Sequence, residues 1–187
     1  MTTRSVKRRL IVLGLASGAL ALIAWTQPWF GLELTDGQSL DIAGQVAVPA
    51  LSALGLATLA LNAALSIAGR VIRIVLGVVQ VAIGAAIIAT SATALADPVA
   101  ASARTVTDAT GLSGAESIAA LVASVTTTVW PVLTIVIGAI VALGGVLVVL
   151  TASQWAGPTK KYEATPATDN DSKAGAWDTL SGGGDPT

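Results

Sequence analysis

Residues 129–151 read VWPVLTIVIGAIVALGGVLVVLT, a run that contains no charged side chain. About 20 apolar residues in a helix cross the hydrocarbon core of a bilayer, and Trp130 stands where an indole anchors at the interface. The rest of the chain has the same character, with 53% hydrophobic and 11% charged residues and a mean hydropathy of +0.77, against roughly a quarter charged in soluble domains. We therefore expect an integral membrane protein.

Three further apolar runs, at residues 10–26, 46–69 and 72–95, predict three more spans. The first follows a basic cluster and fits either a cleaved signal peptide or a membrane anchor; we favour the anchor because the apolar run continues to Trp25. Pro49 is expected in the first turn of the second span. The short link from Arg70 to Arg73 makes the second and third spans an antiparallel hairpin.

The predicted fold is an all-α membrane protein, a four-transmembrane-helix bundle with a small extracytoplasmic β-hairpin and a disordered C-terminal tail. Its parts are a basic N-terminus (1–9), the membrane domain (10–151) with outer segments 27–45 and 96–128, and a tail (152–187). Tryptophans at positions 25, 29, 130 and 155 are interpreted as interfacial anchors at the span ends.

Orientation follows from the basic residues, which concentrate on the cytoplasmic side of membrane proteins. With both termini in the cytoplasm, only Arg104 of the ten basic residues lies outside. We therefore expect a multi-pass protein of the bacterial cell (inner) membrane. The cytoplasmic set comprises Arg4, Lys7, Arg8, Arg9, Arg70, Arg73, Lys160, Lys161 and Lys173.

The first outer segment alternates apolar and polar residues around Asp36-Gly37, which predicts a β-hairpin. A two-residue loop would place Leu34 opposite Ser39, whereas a loop of three or five residues pairs Leu34 with Leu40 and Leu32 with Ile42. We favour the odd-length loop, because it gives one apolar face. The same register places Glu33 opposite Asp41.

The second outer segment is expected to be irregular until Ser113, where Ser113-Gly-Ala-Glu116 has the spacing of a capping box. Ile118, Leu121, Val122 and Val125 then recur at helical spacing. The pattern predicts a short amphipathic helix, which either lies on the outer surface or forms a lid over a cavity.

The tail is rich in Gly, Pro, Ser, Thr and Asp, a composition typical of disorder. One apolar island, Trp177-Asp178-Thr-Leu180, interrupts it. We interpret the island, with Asp185 and Pro186, as a docking element for either the protein's own bundle and the lipid surface or a cytoplasmic protein partner.

The predicted spans contain few groups that could take part in catalysis or ligand binding. The chain has no cysteine or histidine, which removes thiolate chemistry and most zinc and haem ligation, and we expect no cofactor, no metal, no catalytic residue and no nucleic-acid partner. Asn62 and Gln80 are predicted at similar depth, as an interhelical polar pair that either holds two helices together or binds a substrate.

Small residues four apart, at Gly14/Gly18, Ala82/Ala86 and Gly138/Ala142, predict close helix packing within the bundle or between copies of a homo-oligomer.

The chain resembles the tryptophan-biosynthesis-associated membrane proteins of bacteria, also called trp region conserved hypothetical membrane proteins. The resemblance is carried by the basic start, Gln27-Pro-Trp29, the Arg70-to-Arg73 turn, Lys161-Tyr-Glu, Trp177-Asp-Thr-Leu and Gly184-Asp-Pro-Thr187. It implies an association with tryptophan biosynthesis and transfers no catalytic residue.

Two functions remain open at this point. The first is an accessory or scaffold protein that binds a cytoplasmic partner through its tail. The alternative is a small oligomeric permease or exporter for tryptophan, indole or a related aromatic. We do not expect an enzyme, because the outer carboxylates show no catalytic arrangement.

Overall fold

In the computed structural model the described residues, 3–152, form a bundle of long helices with a small β-sheet at one end. The helices are α1 Thr3–Thr26, α2 Gly44–Ala47, α3 Leu51–Ile67, α4 Arg70–Ala96, α5 Pro98–Thr110, α6 Ala115–Leu121 and α7 Trp130–Thr151. The strands are β1 Pro28–Leu34, β2 Ser39–Ala43 and β3 Val122–Thr127. We call the region formed by β1, β2, α2, α5, α6 and β3 the headpiece.

Three of the helices are long and apolar enough to cross a membrane, namely Arg8–Thr26, Arg70–Ala96 and Trp130–Thr151. Helix α3 is also apolar, but its 17 residues reach only about 25 Å. The predicted second span was too long, because the chain is not helical at Val48, with φ −139° and ψ 78°. Pro49 disfavours helical geometry in the residue before it, so it separates α2 from α3 instead of lying in the first turn of a single helix.

The helices pack as two antiparallel pairs, α1 with α3 and α4 with α7, and α1 also contacts α7. Glycine allows the closest approach between α4 and α7: a Cβ atom built on Gly84 would lie 2.5 Å from the backbone nitrogen of Ala142. The predicted stripes at Gly14/Gly18 and Gly138/Ala142 do lie in these contacts. On α4, however, the contact is made by Gly77 and Gly84, whereas Ala82 is exposed.

The predicted hairpin of the second and third spans needs two corrections. Helices α3 and α4 contact each other, but each has a larger interface with another helix. The link between them is only Ala68 and Gly69, so Arg70 and Arg73 lie in the first turn of α4 and not in a loop. Arg73 is buried.

The sheet has the order β2-β1-β3, with β1 antiparallel to both neighbours. The predicted hairpin is therefore present, with an odd-length loop as expected, but the predicted register is wrong by two residues. Leu32 pairs with Leu40, and Phe30 pairs with Ile42. A shift of two residues keeps every side chain on the same face, so the apolar face is preserved while Glu33 now lies opposite Ser39 instead of Asp41.

The turn itself explains this register. The amide of Gly37 donates to the carbonyl of Leu34, and Asp36 Oδ1 accepts from the amide of Gln38 at 2.9 Å. Gly37 has a φ of +87°, the left-handed geometry that closes a three-residue hairpin loop. The loop consequently ends at Gln38, whose carbonyl accepts from the amide of Leu34 at 2.8 Å.

The segment from 96 to 128 differs most from the prediction. Residues 98–110, expected to be irregular, form α5, whereas the predicted amphipathic helix ends at Leu121 and continues as strand β3. Ser113 forms no capping box, because Gly114 takes the N-cap position and no side chain accepts a hydrogen bond there. The β-branched residues of 122–127 favour an extended chain, and β1 provides a strand edge to pair with.

The fully buried headpiece residues Trp29, Phe30, Ile42 and Val106 belong to an apolar core that continues into the bundle, for example at Ile87. Trp29 and Phe30 meet edge to face, with ring centroids 6.3 Å apart. The indole N–H of Trp29 donates to the carbonyl of Ala24 in the last turn of α1, at 2.8 Å. Trp29 is therefore a buried link between α1 and the headpiece and not the interfacial anchor that was predicted.

Replacing Trp29 with Phe should destabilise the protein by about 1–3 kcal/mol, because it removes a buried hydrogen bond. The Ala24 carbonyl then keeps only the longer bond from the Gln27 amide, at 3.3 Å. The measurement is the thermal unfolding midpoint in detergent. Trp25→Phe is the matched control, because the indole nitrogen of Trp25 has no hydrogen-bond partner within residues 3–152. Equal midpoints for the two variants would contradict the anchoring role of Trp29.

Candidate functional site

A cleft of about 620 Å³ lies in the headpiece between α5 and α6. Alanines, Val99 and Ile118 form most of its wall, and Asp97, Arg104 and Thr107 supply its polar groups. Volumes of this order and mostly apolar walls with a few polar groups are typical of small-molecule sites. The helix after Ser113, α6, forms one side of this cleft and buries Ile118, while most of its other residues are exposed.

Asp97 fixes the cleft by ending α4 and starting α5. Its side-chain oxygen accepts from the amide of Ala100 at 2.9 Å, and Pro98 occupies the first position of α5. Gly111, with φ +71°, ends the helix. The sequence contained this signal, since an Asp-Pro pair followed by a glycine thirteen residues later marks a helix start and stop.

Arg104 lies two turns beyond Asp97 on α5, about 10 Å along the helix axis. The wall of the cleft therefore carries one charge of each sign at separate places. Thr107 adds a hydroxyl one turn further on. These groups can bind and orient a small molecule with an apolar body.

Several carboxylates of the headpiece have local structural roles. Besides Asp36 and Asp97, which accept backbone hydrogen bonds, Glu33 accepts from the Ser124 hydroxyl at 3.1 Å, which joins β1 to β3. Within residues 3–152, no group of three or more carboxylates could hold a metal ion.

The two predicted intramembrane amides are both buried, but they serve different helix pairs. The Asn62 side-chain NH₂ donates to the carbonyl of Thr58 on its own helix at 2.8 Å, and its amide group packs against Gly14 of α1. The Gln80 side-chain NH₂ donates to the carbonyl of Val141 on α7 at 3.3 Å. The structure shows no hydrogen bond between Asn62 and Gln80, because α3 turns its polar face to α1 while α4 faces α7.

Gln80 retains one unsatisfied group. Its side-chain oxygen is buried and accepts no hydrogen bond from any described residue. Gly144 of α7 lies beside the same side chain. Among the described residues, the Ser91 hydroxyl on the same helix is likewise buried without a hydrogen-bond partner.

The predicted docking residues of the tail, Trp177, Asp178, Leu180, Asp185 and Pro186, lie outside the described residues. So do Trp155 and the basic residues Lys160, Lys161 and Lys173.

Helices of this length and apolar character, joined to a folded headpiece, define an integral membrane protein. The chain belongs to the tryptophan-associated transmembrane protein family, which it matches over residues 11–187. The resemblance inferred from the motifs is thereby confirmed. No curated protein matches the chain, and no solved structure matches it.

Replacing Gln80 with Leu should leave the stability unchanged or raise it, because the change removes a buried oxygen without a partner and a long hydrogen bond. Ile87→Ala, at a fully buried position on the same helix, is the comparison and should lose about 2–5 kcal/mol. Thermal unfolding of the purified protein measures both. If Gln80→Leu is as destabilising as Ile87→Ala, the Gln80 oxygen has a partner that the fold depends on.

Proposed function

We propose that the protein is a membrane accessory or scaffold protein associated with tryptophan biosynthesis, without enzymatic activity of its own. The observation that carries the proposal is the close contact between α4 and α7. Gly84 lies against the backbone of Ala142, and Gly145 lies against the backbone of Gly77. Such contacts between small residues let the two backbones approach closely, and in this proposal they make α4 and α7 a rigid frame.

The composition of the buried helix surfaces supports the same role. Most buried polar side chains there bond to the backbone of their own helix: Ser17, Thr58 and Thr134 each donate to the carbonyl four residues earlier. Transporters usually carry ionisable groups along their path. In the described helices, Arg73 is the buried ionisable side chain, and it lies in the first turn of α4.

In this proposal all four long helices cross the membrane, with α3 as the shortest crossing, since 17 residues is the lower end of the usual range. The headpiece lies outside the cell and both termini lie in the cytoplasm. The antiparallel packing supports this, because it brings the exposed Arg8, Arg9 and Arg70 to the bundle end opposite the headpiece. The C-terminal tail would then present its Trp177 island to a cytoplasmic protein.

The tail supplies the test. In a crosslinking pull-down from native membranes, the intact protein should capture a cytoplasmic partner that a chain truncated after Trp155 loses, because the docking island is gone. Trp177→Ala in the full chain should cause most of the same loss, whereas Lys173→Ala, outside the island, should not. Recovery of the same partners by the intact and the truncated protein would contradict the scaffold proposal.

The Gln80 oxygen favours one alternative, a small oligomeric permease or exporter for an aromatic molecule such as tryptophan or indole. A buried acceptor without a protein partner is a group that a passing N–H donor could use. In this alternative, cells without the protein should show altered uptake or efflux of labelled tryptophan or indole, and Gln80→Leu should fail to restore it. Unchanged fluxes in both directions would exclude the permease.

A further inference from the structure

Strand β3 is an edge of the headpiece sheet, since the strand order is β2-β1-β3. Five of its six residues are exposed, and its sequence, VASVTT, carries no charge and no proline. Uncharged, exposed edges of this kind are templates for a further strand, and proteins normally protect them with a charge, a proline or a covering element.

The hydrogen bond at the end of β3 shows which of its backbone groups point toward β1 and which point away. The amide of Thr128 donates to the carbonyl of Trp29 at 3.0 Å. In an antiparallel ladder the bonded pairs alternate, so Thr126 and Ser124, paired with Gly31 and Glu33, direct their backbone groups toward β1. The N–H and C=O groups of Val125 and Thr127 therefore point away from the sheet, ready for a partner strand.

The two edges of the sheet differ. Strand β2 carries the exposed Asp41 in its middle, a charge that opposes pairing with another strand at that edge. Strand β3 has no such protection.

The apolar face of the sheet is also incomplete at β3. Val125 pairs with the buried Leu32, yet it is 36% exposed. A fourth strand beside β3 would cover this side chain and continue the face formed by Phe30, Leu32 and Ile42. Burial of apolar surface and satisfaction of the outward backbone groups thus favour the same docked strand.

We propose that β3 pairs antiparallel with β3 of a second copy of this chain, which joins two headpieces into one six-stranded sheet. The membrane selects this occupant, because two copies inserted in the same orientation present their β3 edges at the same height. Self-pairing brings together two uncharged strands, so it meets no like-charge repulsion. In a two-fold antiparallel pair, the outward groups of Val125 and Thr127 meet the same groups of the second copy.

This pairing must take place in water, outside the hydrocarbon, since free strand edges are not tolerated in lipid. It does not depend on the scaffold proposal, which concerns the tail; loss of the tail partners would leave the pairing unaffected.

The chain contains no cysteine, so a single introduced thiol reports contact between copies. We would place Cys at Val125, Thr126 or Thr127 in the full chain, oxidise native membranes and separate the products without reductant. Residues directly opposite in a two-fold pair bring their Cβ atoms within disulfide range. At least one of these positions should yield on the order of tenfold more dimer than Ser39→Cys, an exposed position on the β2 edge.

A second pair of variants tests whether the crosslink comes from the proposed strand pair and not from random collision of two copies. In the best crosslinking background, an added Thr127→Lys, or Val125→Lys where position 127 carries the cysteine, should abolish most of the dimer, because it introduces two like charges into the strand pair. Ser39→Lys, on the other edge, should leave the dimer unchanged. The thermal unfolding midpoint of each variant verifies that the headpiece is folded.

Equal dimer from Ser39→Cys, or dimer that survives the lysine added to β3, would overturn the proposal. So would crosslinking of position 125, 126 or 127 to a protein of different mass, because the occupant would then be another partner, and so would the absence of dimer at all three positions in folded protein.

Discussion

The hydrogen bond from the Trp29 indole to the Ala24 carbonyl holds the headpiece to the bundle. The carbonyls in the last turn of a helix have no partner within that helix. This one accepts from the Trp29 indole, on the strand that follows, at 2.8 Å and from the Gln27 amide at 3.3 Å. The bond fixes where β1 begins and therefore where both of its neighbours can pair. Trp29 also packs beside Phe30 in the apolar core. One residue therefore supplies both a hydrogen bond and apolar packing where α1 meets the headpiece.

The bundle below the headpiece consists of two tight helix pairs and not of four equivalent helices. Each pair uses glycine to bring backbones together, and each encloses one buried amide, Asn62 against Gly14 and Gln80 against Val141. Without a hydrophobic driving force between helices in lipid, such packing and hydrogen bonds are the main source of association. The pairs join through α1 and α7; α1 directly precedes the central strand β1, and α7 follows the edge strand β3.

The sequence was sufficient to predict the elements whose signal is strong and local. Uninterrupted apolar runs identified the long helices, and Asp36-Gly37 identified the hairpin. The register was wrong because the predicted and the observed pairings differ by two residues and keep the same side chains on the apolar face, so periodicity alone could not separate them. The geometry of Gly37 and the side-chain bond of Asp36 decided it.

The rest depended on contacts distant in sequence. Ile118, Leu121, Val122 and Val125 fit a helical period, but the edge of β1 was available to the β-branched part of that segment, and pairing overrode the pattern. The same holds for the polar residues within the spans: depth along a helix was predictable for Asn62 and Gln80, whereas the face each turns to its neighbours was not. Helix α5 was missed for a different reason, since its start and stop residues were present and its alanine-rich, threonine-rich interior concealed them.

The central strand of the sheet and its last neighbour are far apart in the chain: Phe30 pairs with Thr127. During synthesis, β1 and β2 emerge long before α4, α5 and α6, and the sheet stays one strand short until residue 127 has reached the same end of the bundle. The cleft between α5 and α6 therefore has its walls in place before the sheet is finished. The sheet can therefore be completed only after the helices between β2 and β3 have reached their places. Of the long helices, α7 is the last to follow.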